Sequence, residues 1–246
     1  MPSSSIYTDL SCYYDLMCAD INYSEQCEYV KRLHQLFGNK GTDYLDLACG
    51  TGPHIRHFIN YGYSASGVDI NQPMLDIAQR RCPEGKFIQQ DMSLLELDSQ
   101  FDLITCFLYS IHYNQTIAQL NQCISAVHRA LKPGGMVCFN AVDKQMIDNR
   151  PGIKRRMEHD KSIFCFQSNW YYPGEGDQQK LQLSIEKTTA GKGEFWQDEH
   201  SMVAFTFAQM QNLLAPYFEV HVFEHDYQKI TPWNNRSGNA FFVGIK

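Results

Sequence analysis

The chain has no apolar run approaching the ~20 residues of a membrane-spanning helix, so no membrane partner is expected. It has no excess of positive charge either. Against 27 Asp and Glu stand 21 Lys and Arg, a net charge of −6, which argues against a broad nucleic-acid footprint. Nine cysteines are scattered from Cys12 to Cys165 without a Cys-x-x-Cys pair, and Cys106, Cys138 and Cys165 sit in apolar runs. They read as small buried thiols of a reducing cytoplasm rather than as disulfides or a zinc site. His54-x-x-His57 and His221-x-x-x-His225 have no carboxylate-rich cluster beside them, so no metal is expected. The opening Met1-Pro2-Ser3-Ser4-Ser5 carries neither a basic nor an apolar region, so no secretory signal is expected. Repeats and low-complexity tracts are lacking as well. What is there is 246 residues, 43% hydrophobic and 20% charged, enough for one α/β domain with an insertion or for two small domains.

The most informative stretch is Tyr44-Leu45-Asp46-Leu47-Ala48-Cys49-Gly50-Thr51-Gly52-Pro53-His54. A short apolar run ends in two glycines one residue apart, and an amphipathic segment follows. That pattern predicts a strand, a tight turn and a helix start, with glycines that let a ligand approach the backbone. A dinucleotide fingerprint needs a third small residue three places after the second glycine, and Ile55 stands there. No Lys-Ser/Thr pair follows, which excludes a phosphate-binding P-loop.

Around this stretch strands and helices alternate. Helix is predicted over 6–37, stopped by Gly38-Asn39-Lys40-Gly41, and strands over 44–48, 65–70, 86–89, 101–107 and 136–142. Helices are predicted over 54–61, from Gln72-Pro73 to Pro83, and from Ile117 to Leu131, where apolar residues recur at three and four. This alternation predicts a doubly wound, mostly parallel sheet. The pattern changes after residue 143. Aromatic or alternating runs at 163–172, 181–186 and 195–205, separated by glycine turns, predict a three-stranded antiparallel meander over 144–205. A last helix from Thr206 to Ala215 and strands over 218–223 and 240–245 return to the core, which comprises 1–143 and 206–246.

The glycine-rich turn is followed, in order, by Gly67-Val68-Asp69-Ile70, Gln90-Asp91-Met92, Phe101-Asp102-Leu103-Ile104-Thr105 and Leu131-Lys132-Pro133-Gly134-Gly135. With these segments the chain resembles the class I S-adenosylmethionine-dependent methyltransferases. The resemblance implies a seven-stranded Rossmann-like sheet with an antiparallel final strand pair and S-adenosyl-L-methionine as cofactor. It implies that Ala48, Gly50 and Gly52 cradle the methionine end and that Asp69 takes the ribose diol. Asp91 and the Met92 backbone would then meet the adenine, with Ile70 and Met74 as its apolar wall. Phe107 would neighbour the sulfonium, and Tyr14 would fold over the cofactor. One subgroup is similar over further residues, from Pro53-His54-Ile55-Arg56-His57 to Glu199-His200: the nucleotide-linked amino-sugar N,N-dimethyltransferases. This likeness implies a small-molecule acceptor, an acceptor lid made by the insertion, and a homodimer contact through the inserted sheet.

For methyl transfer the protein mostly aligns the nucleophile and excludes water, and an amine must shed a proton to attack. Tyr113 and His112, just past the fourth strand, are the expected proton-handling residues, with Tyr7 and His200 as further candidates. Arg236 and Trp170 are the expected acceptor contacts. A basic cluster, Lys154-Arg155-Arg156, could pair with phosphates or be solvated surface. N-directed transfer to a small molecule is the leading expectation. Its rivals are O- or carboxyl-methylation of a small metabolite and a cofactor-binding regulator without turnover.

Overall fold

The computed structural model describes residues 6–246. The stretch Met1–Ser5, on which the reading of no secretory signal rests, lies outside the described residues. The main sheet contains β1 (Asp43–Leu47), β2 (Ser64–Asp69), β3 (Lys86–Gln89), β4 (Phe101–Cys106), β5 (Leu131–Val142), β10 (Glu219–Glu224) and β11 (Asn239–Ile245). Its order is β10-β11-β5-β4-β1-β2-β3, and only β11 runs against its neighbours. Inner strands are buried on both faces, so their side chains alternate between two cores. Leu45, Leu47, Ile104, Val137 and Phe139 pack on one face with α5 (Ile117–Ala130) and α6 (Phe207–Leu214). Tyr44, Leu103, Met136 and Cys138 pack on the other with α2 (Tyr23–Phe37) and α3 (Pro53–Asn60). The chain leaves β1 toward β2 and β3 but leaves β4 toward β5, so a crevice opens at the carboxyl ends of β1 and β4. The result is a doubly wound, mostly parallel sheet of seven strands.

The N-terminal region is not one helix. α1 (Ser11–Met17) stops at Cys18, and α2 restarts where the Asn22 side chain accepts from the Glu25 N–H. The two halves also pack on different partners. Ile6 and Leu10 share a cluster with Phe164, Phe166, Leu183 and Ile185 of the insertion, whereas Val30 and Leu33 of α2 pack on the main sheet.

The insertion has four strands where three were expected: β6 (Arg155–His159), β7 (Ser162–Tyr171), β8 (Gln178–Thr189) and β9 (Lys192–Val203), paired in that order and antiparallel. β6 and β7 are joined by two residues, Asp160 (φ 46°) and Lys161 (φ 60°), both left-handed, which is a hairpin turn built without glycine. Arg155 is not free to meet a phosphate. Its guanidinium donates to the Leu16 and Met17 carbonyls at the end of α1 and pairs with Asp20 at 2.7 Å. Lys154 pairs with Glu186 at 2.6 Å.

Candidate active site

A cavity of about 240 Å³ opens at the crevice, between the sheet, the N-terminal segment and the insertion. Its floor is the turn after β1. Ala48 (φ 52°) and Gly50 (φ 54°) are left-handed there, as are Leu108 (φ 53°) and Tyr109 (φ 62°) after β4. Three non-glycine residues in that region mark a backbone held against its preference beside the cavity. A β-carbon at Gly50 would lie 3.5 Å from Met74 Cε and 3.8 Å from Tyr14 Cε1, inside the cavity space. α1 is moored above this turn by Asp15, which accepts from Thr51 Oγ1 at 2.6 Å and from Arg81. That mooring brings Tyr14 over Gly50.

Asp69, at the end of β2, is buried and held from both sides. Its Oδ2 accepts from the Gly50 N–H at 2.9 Å and its Oδ1 from the Asn71 N–H at 2.9 Å. Burial raises its pKa against the pull of those hydrogen bonds. Ile70, 59% exposed, and Met74 supply an apolar wall, and Asp91 and Met92 line the same end. A small recess continues inward past Tyr14, Ala48 and Gly50 to Asp46, His54 and Phe107. In it the Tyr23 hydroxyl is buried near the Cys18 thiol, with the charges of Asp15 and Arg81 also acting on it. Burial lifts Asp46 to about 7, opposed by hydrogen bonds from Thr105 and Tyr44. Two expected cofactor contacts, Phe107 and Gly52, lie outside the lining of the main cavity. Phe107 lies in the recess, stacked on His54 at 5.1 Å, and not in the main cavity. Gly52 (φ 79°) caps α3 ahead of Pro53, and a β-carbon there would come within 3.1 Å of Ala78 Cβ. Having no side chain there lets the turn pack closely against the helix that carries Ala78.

At the opposite end Tyr7 and Tyr113 line the cavity with their hydroxyls 2.6 Å apart. Tyr113 sits on the short 3₁₀ turn Ser110–Tyr113, and its hydroxyl lies 2.7 Å from His200 Nδ1 on β9. His200 Nε2 in turn lies 3.0 Å from Asp198 Oδ2. Asp198 was missed by sequence reasoning. Its spacing of two from His200 in a strand was the available signal, because such residues share a face. Asn114, Gln115 and Gln119 also line the cavity without having been expected.

His112 corrects the expectation that it handles a proton. It is fully buried, stacked on Phe205 at 4.4 Å. Its Nε2 accepts from the Val142 N–H at 3.1 Å, which puts the ring proton on Nδ1, 2.9 Å from the Val203 carbonyl. Both nitrogens are used, and burial lowers the ring to about 4. Trp170 stands edge-on to Tyr109 and to His112, both at 5.7 Å, and lines a separate groove with Met146 and Asn239. Arg236 is exposed on the β10–β11 connection and lines neither space. The structure thus brings together Tyr7, Tyr14, Ala48, Gly50, Asp69, Ile70, Met74, Asp91, Met92 and Tyr113 around one cavity, with His200 directly behind.

A family model described as a methyltransferase domain matches residues 45–135. A dTDP-3-amino-3,4,6-trideoxy-alpha-D-glucopyranose N,N-dimethyltransferase of Streptomyces venezuelae is 31% identical over 98 residues, 40% of this chain and 41% of that protein. The chain spans about half the length of the curated relatives it matches. Among solved structures, DesVI of Streptomyces venezuelae superposes with a TM-score of 0.82 at 22% identity, covering 97% of this chain and 98% of that one. CalS10, an amino pentose methyltransferase from Micromonospora echinaspora solved with SAM bound, superposes with a TM-score of 0.80 at 18% identity, covering 98% of each.

Proposed function

We propose that this chain, which carries a methyltransferase domain of the class I S-adenosylmethionine-dependent fold, transfers a methyl group to the nitrogen of a small-molecule amine. The observation that carries the reading is the cavity itself, which joins a cofactor cradle at the crevice to a pair of uncharged hydroxyls. S-Adenosyl-L-methionine supplies an electrophilic methyl on a positively charged sulfur. The residues fit it. Asp69 offers a buried, fixed carboxylate to a ribose diol, and Ile70 and Met74 offer an adenine-sized apolar wall. Gly50 leaves room where a side chain would intrude, and the buried Tyr23 hydroxyl faces the recess suited to the amino-acid end.

Tyr7 and Tyr113 then orient the acceptor and take part in removing its proton, while the insertion and α1 exclude water. No lysine or arginine lines the cavity among the described residues, so no side-chain cation in it pairs with a diphosphate. That favours a compact amine whose polar groups meet Asn114, Gln115 and Gln119. Burial holds Tyr113 well above its usual pKa. A neutral phenol suits an amine acceptor better than a hydroxyl acceptor, which calls for a stronger base.

Calorimetry with S-adenosylmethionine and with its demethylated product tests the cofactor half. Both should bind, and Asp69→Ala should weaken binding by about 1.5–3 kcal/mol, the range for hydrogen bonds to a charged group. Transfer of labelled methyl to a panel of small amines and alcohols tests the acceptor half. Product on oxygen alone, or no heat with either cofactor form on folded protein, would overturn the proposal.

A further inference from the structure

The hydrogen bonds behind the cavity have one consistent direction. Asp198 Oδ2 accepts from the Ile6 N–H at 3.0 Å and lies 3.0 Å from His200 Nε2. An ionised carboxylate only accepts, so Nε2 carries the ring proton and Nδ1 presents a lone pair. The Tyr113 hydroxyl, 2.7 Å away, donates to that lone pair. Its oxygen can then accept from the Tyr7 hydroxyl at 2.6 Å. The chain therefore leads from the cavity wall to a half-buried carboxylate in three hydrogen bonds.

We propose that Asp198 and His200 are the proton sink for the acceptor nitrogen, reached through the hydroxyls of Tyr113 and Tyr7. The inference rests on the amine-methylation reading above. In the step, the nitrogen–methyl bond forms, the methyl–sulfur bond breaks, and its electron pair stays on sulfur. The proton shed by the nitrogen passes to a tyrosine oxygen as that phenol's own proton moves on. His200 Nδ1 receives the last proton in the chain, and Asp198 balances the resulting imidazolium. Charge is conserved, and no further reactant is needed.

The surroundings suit that task. Burial alone would raise Asp198, but hydrogen bonds from His200 and the Ile6 N–H outweigh it and hold the group below the ordinary carboxylate range. Burial raises both tyrosines, so they relay as phenols and do not store charge. The titratable groups facing His200 are Tyr113 from the turn after β4, Tyr7 from the N-terminal segment and Asp198 from β9. Glu199 points to the other face, where Lys180 pairs with it at 2.6 Å. Leu181, across the strand pair from His200, lines the cavity and keeps that side apolar. Asp198 touches no substrate and is a positioning residue.

Nitrogen-15 spectra of the imidazole rings test the ground state without any acceptor. His200 should be the Nε2–H tautomer at neutral pH. Asp198→Asn should shift it toward Nδ1–H, because the amide can donate to Nε2, and that tautomer cannot accept from Tyr113. With an amine that is methylated, His200→Gln should lower kcat about 10²–10⁴-fold, the usual range for losing a general base. Asp198→Asn should lower kcat too, and Asp198→Glu should restore part of the loss. Cofactor affinity should stay within threefold in all three variants, and the control Glu199→Gln should behave as wild type. An Nδ1–H tautomer in the wild type, or a kcat for His200→Gln within threefold of wild type, would overturn the proton sink. Failure of the wild type to bind cofactor or methylate any amine would instead overturn the proposed function, and the tautomer measurement would still stand.

Discussion

His112 and Tyr113 are neighbours in sequence with opposite surroundings. The 3₁₀ turn that carries them sends Tyr113 to the cavity and drives His112 into the packing between β5, β8 and β9. There the ring bridges Val142 and Val203, with the Gln179 side-chain amide 2.9 Å from Nδ1. The consequence is a pH dependence of stability. A histidine whose folded pKa is depressed binds its proton more readily in the unfolded chain. Its contribution is complete above the unfolded value near 6.5 and is lost as pH falls toward the folded value of about 4. Over that window the loss is about 3 kcal/mol for this group, at 1.36 kcal/mol per pKa unit. Urea unfolding of the wild type and of His112→Gln at pH 7.5 and pH 4.5 measures it. The variant should be weaker at pH 7.5 because buried backbone groups lose a partner, yet should lose less on acidification. Equal losses in the two proteins would show that His112 does not stay neutral in the fold.

Elements set by local chemistry were legible in the sequence, and those set by partners were not. β3 spans Lys86–Gln89 as predicted, and α5 starts at the Thr116 cap, which accepts from the Gln119 N–H. β6 escaped because Arg155-Arg156-Met157-Glu158-His159 looks like solvated charge and its turn, Asp160-Lys161, has no glycine. It becomes a strand because β7 offers an edge and Arg155 reaches across to α1. The break between α1 and α2 was hidden for a similar reason, since apolar residues run through both helices but face different cores. The Arg155 contact has a testable role. Arg155→Leu keeps the aliphatic bulk and removes the donors that hold the Leu16 and Met17 carbonyls and Asp20. Hydrogen exchange should rise over residues 6–17 and stay unchanged over β1, β4 and β5. Cofactor affinity should fall, because Tyr14 belongs to the loosened segment. Unchanged exchange over 6–17 would assign α1 its position from apolar packing alone.

At the scale of the whole molecule the cavity has two kinds of wall. One comes from the carboxyl ends of β1, β2 and β4, where each contact lies within a few residues of a recognisable motif. Asp69 and Gly50 were legible for that reason. The other wall is assembled from Tyr7, Tyr113 and His200, which lie 106 and 87 residues apart along the chain. Only the β8–β9 register and the seating of the N-terminal segment on the insertion bring them together. No local pattern records such a juxtaposition. The walls are coupled through Tyr14 and Asp15, since α1 is tied to the Thr51 turn on one side and packs on the inserted sheet on the other. Binding at the sheet end should therefore tighten the distant wall. With S-adenosylmethionine at 100 times its dissociation constant, linkage stabilises the native state by about 2.7 kcal/mol. Local opening that breaks the cavity should be suppressed to a similar degree. Exchange protection should rise at residues 48–52 and 69–71, as any cofactor site would show, and also at 6–17 and along β9 near His200. Protection confined to the sheet loops would mean that the roof is independent of the cofactor and that water exclusion must wait for the acceptor.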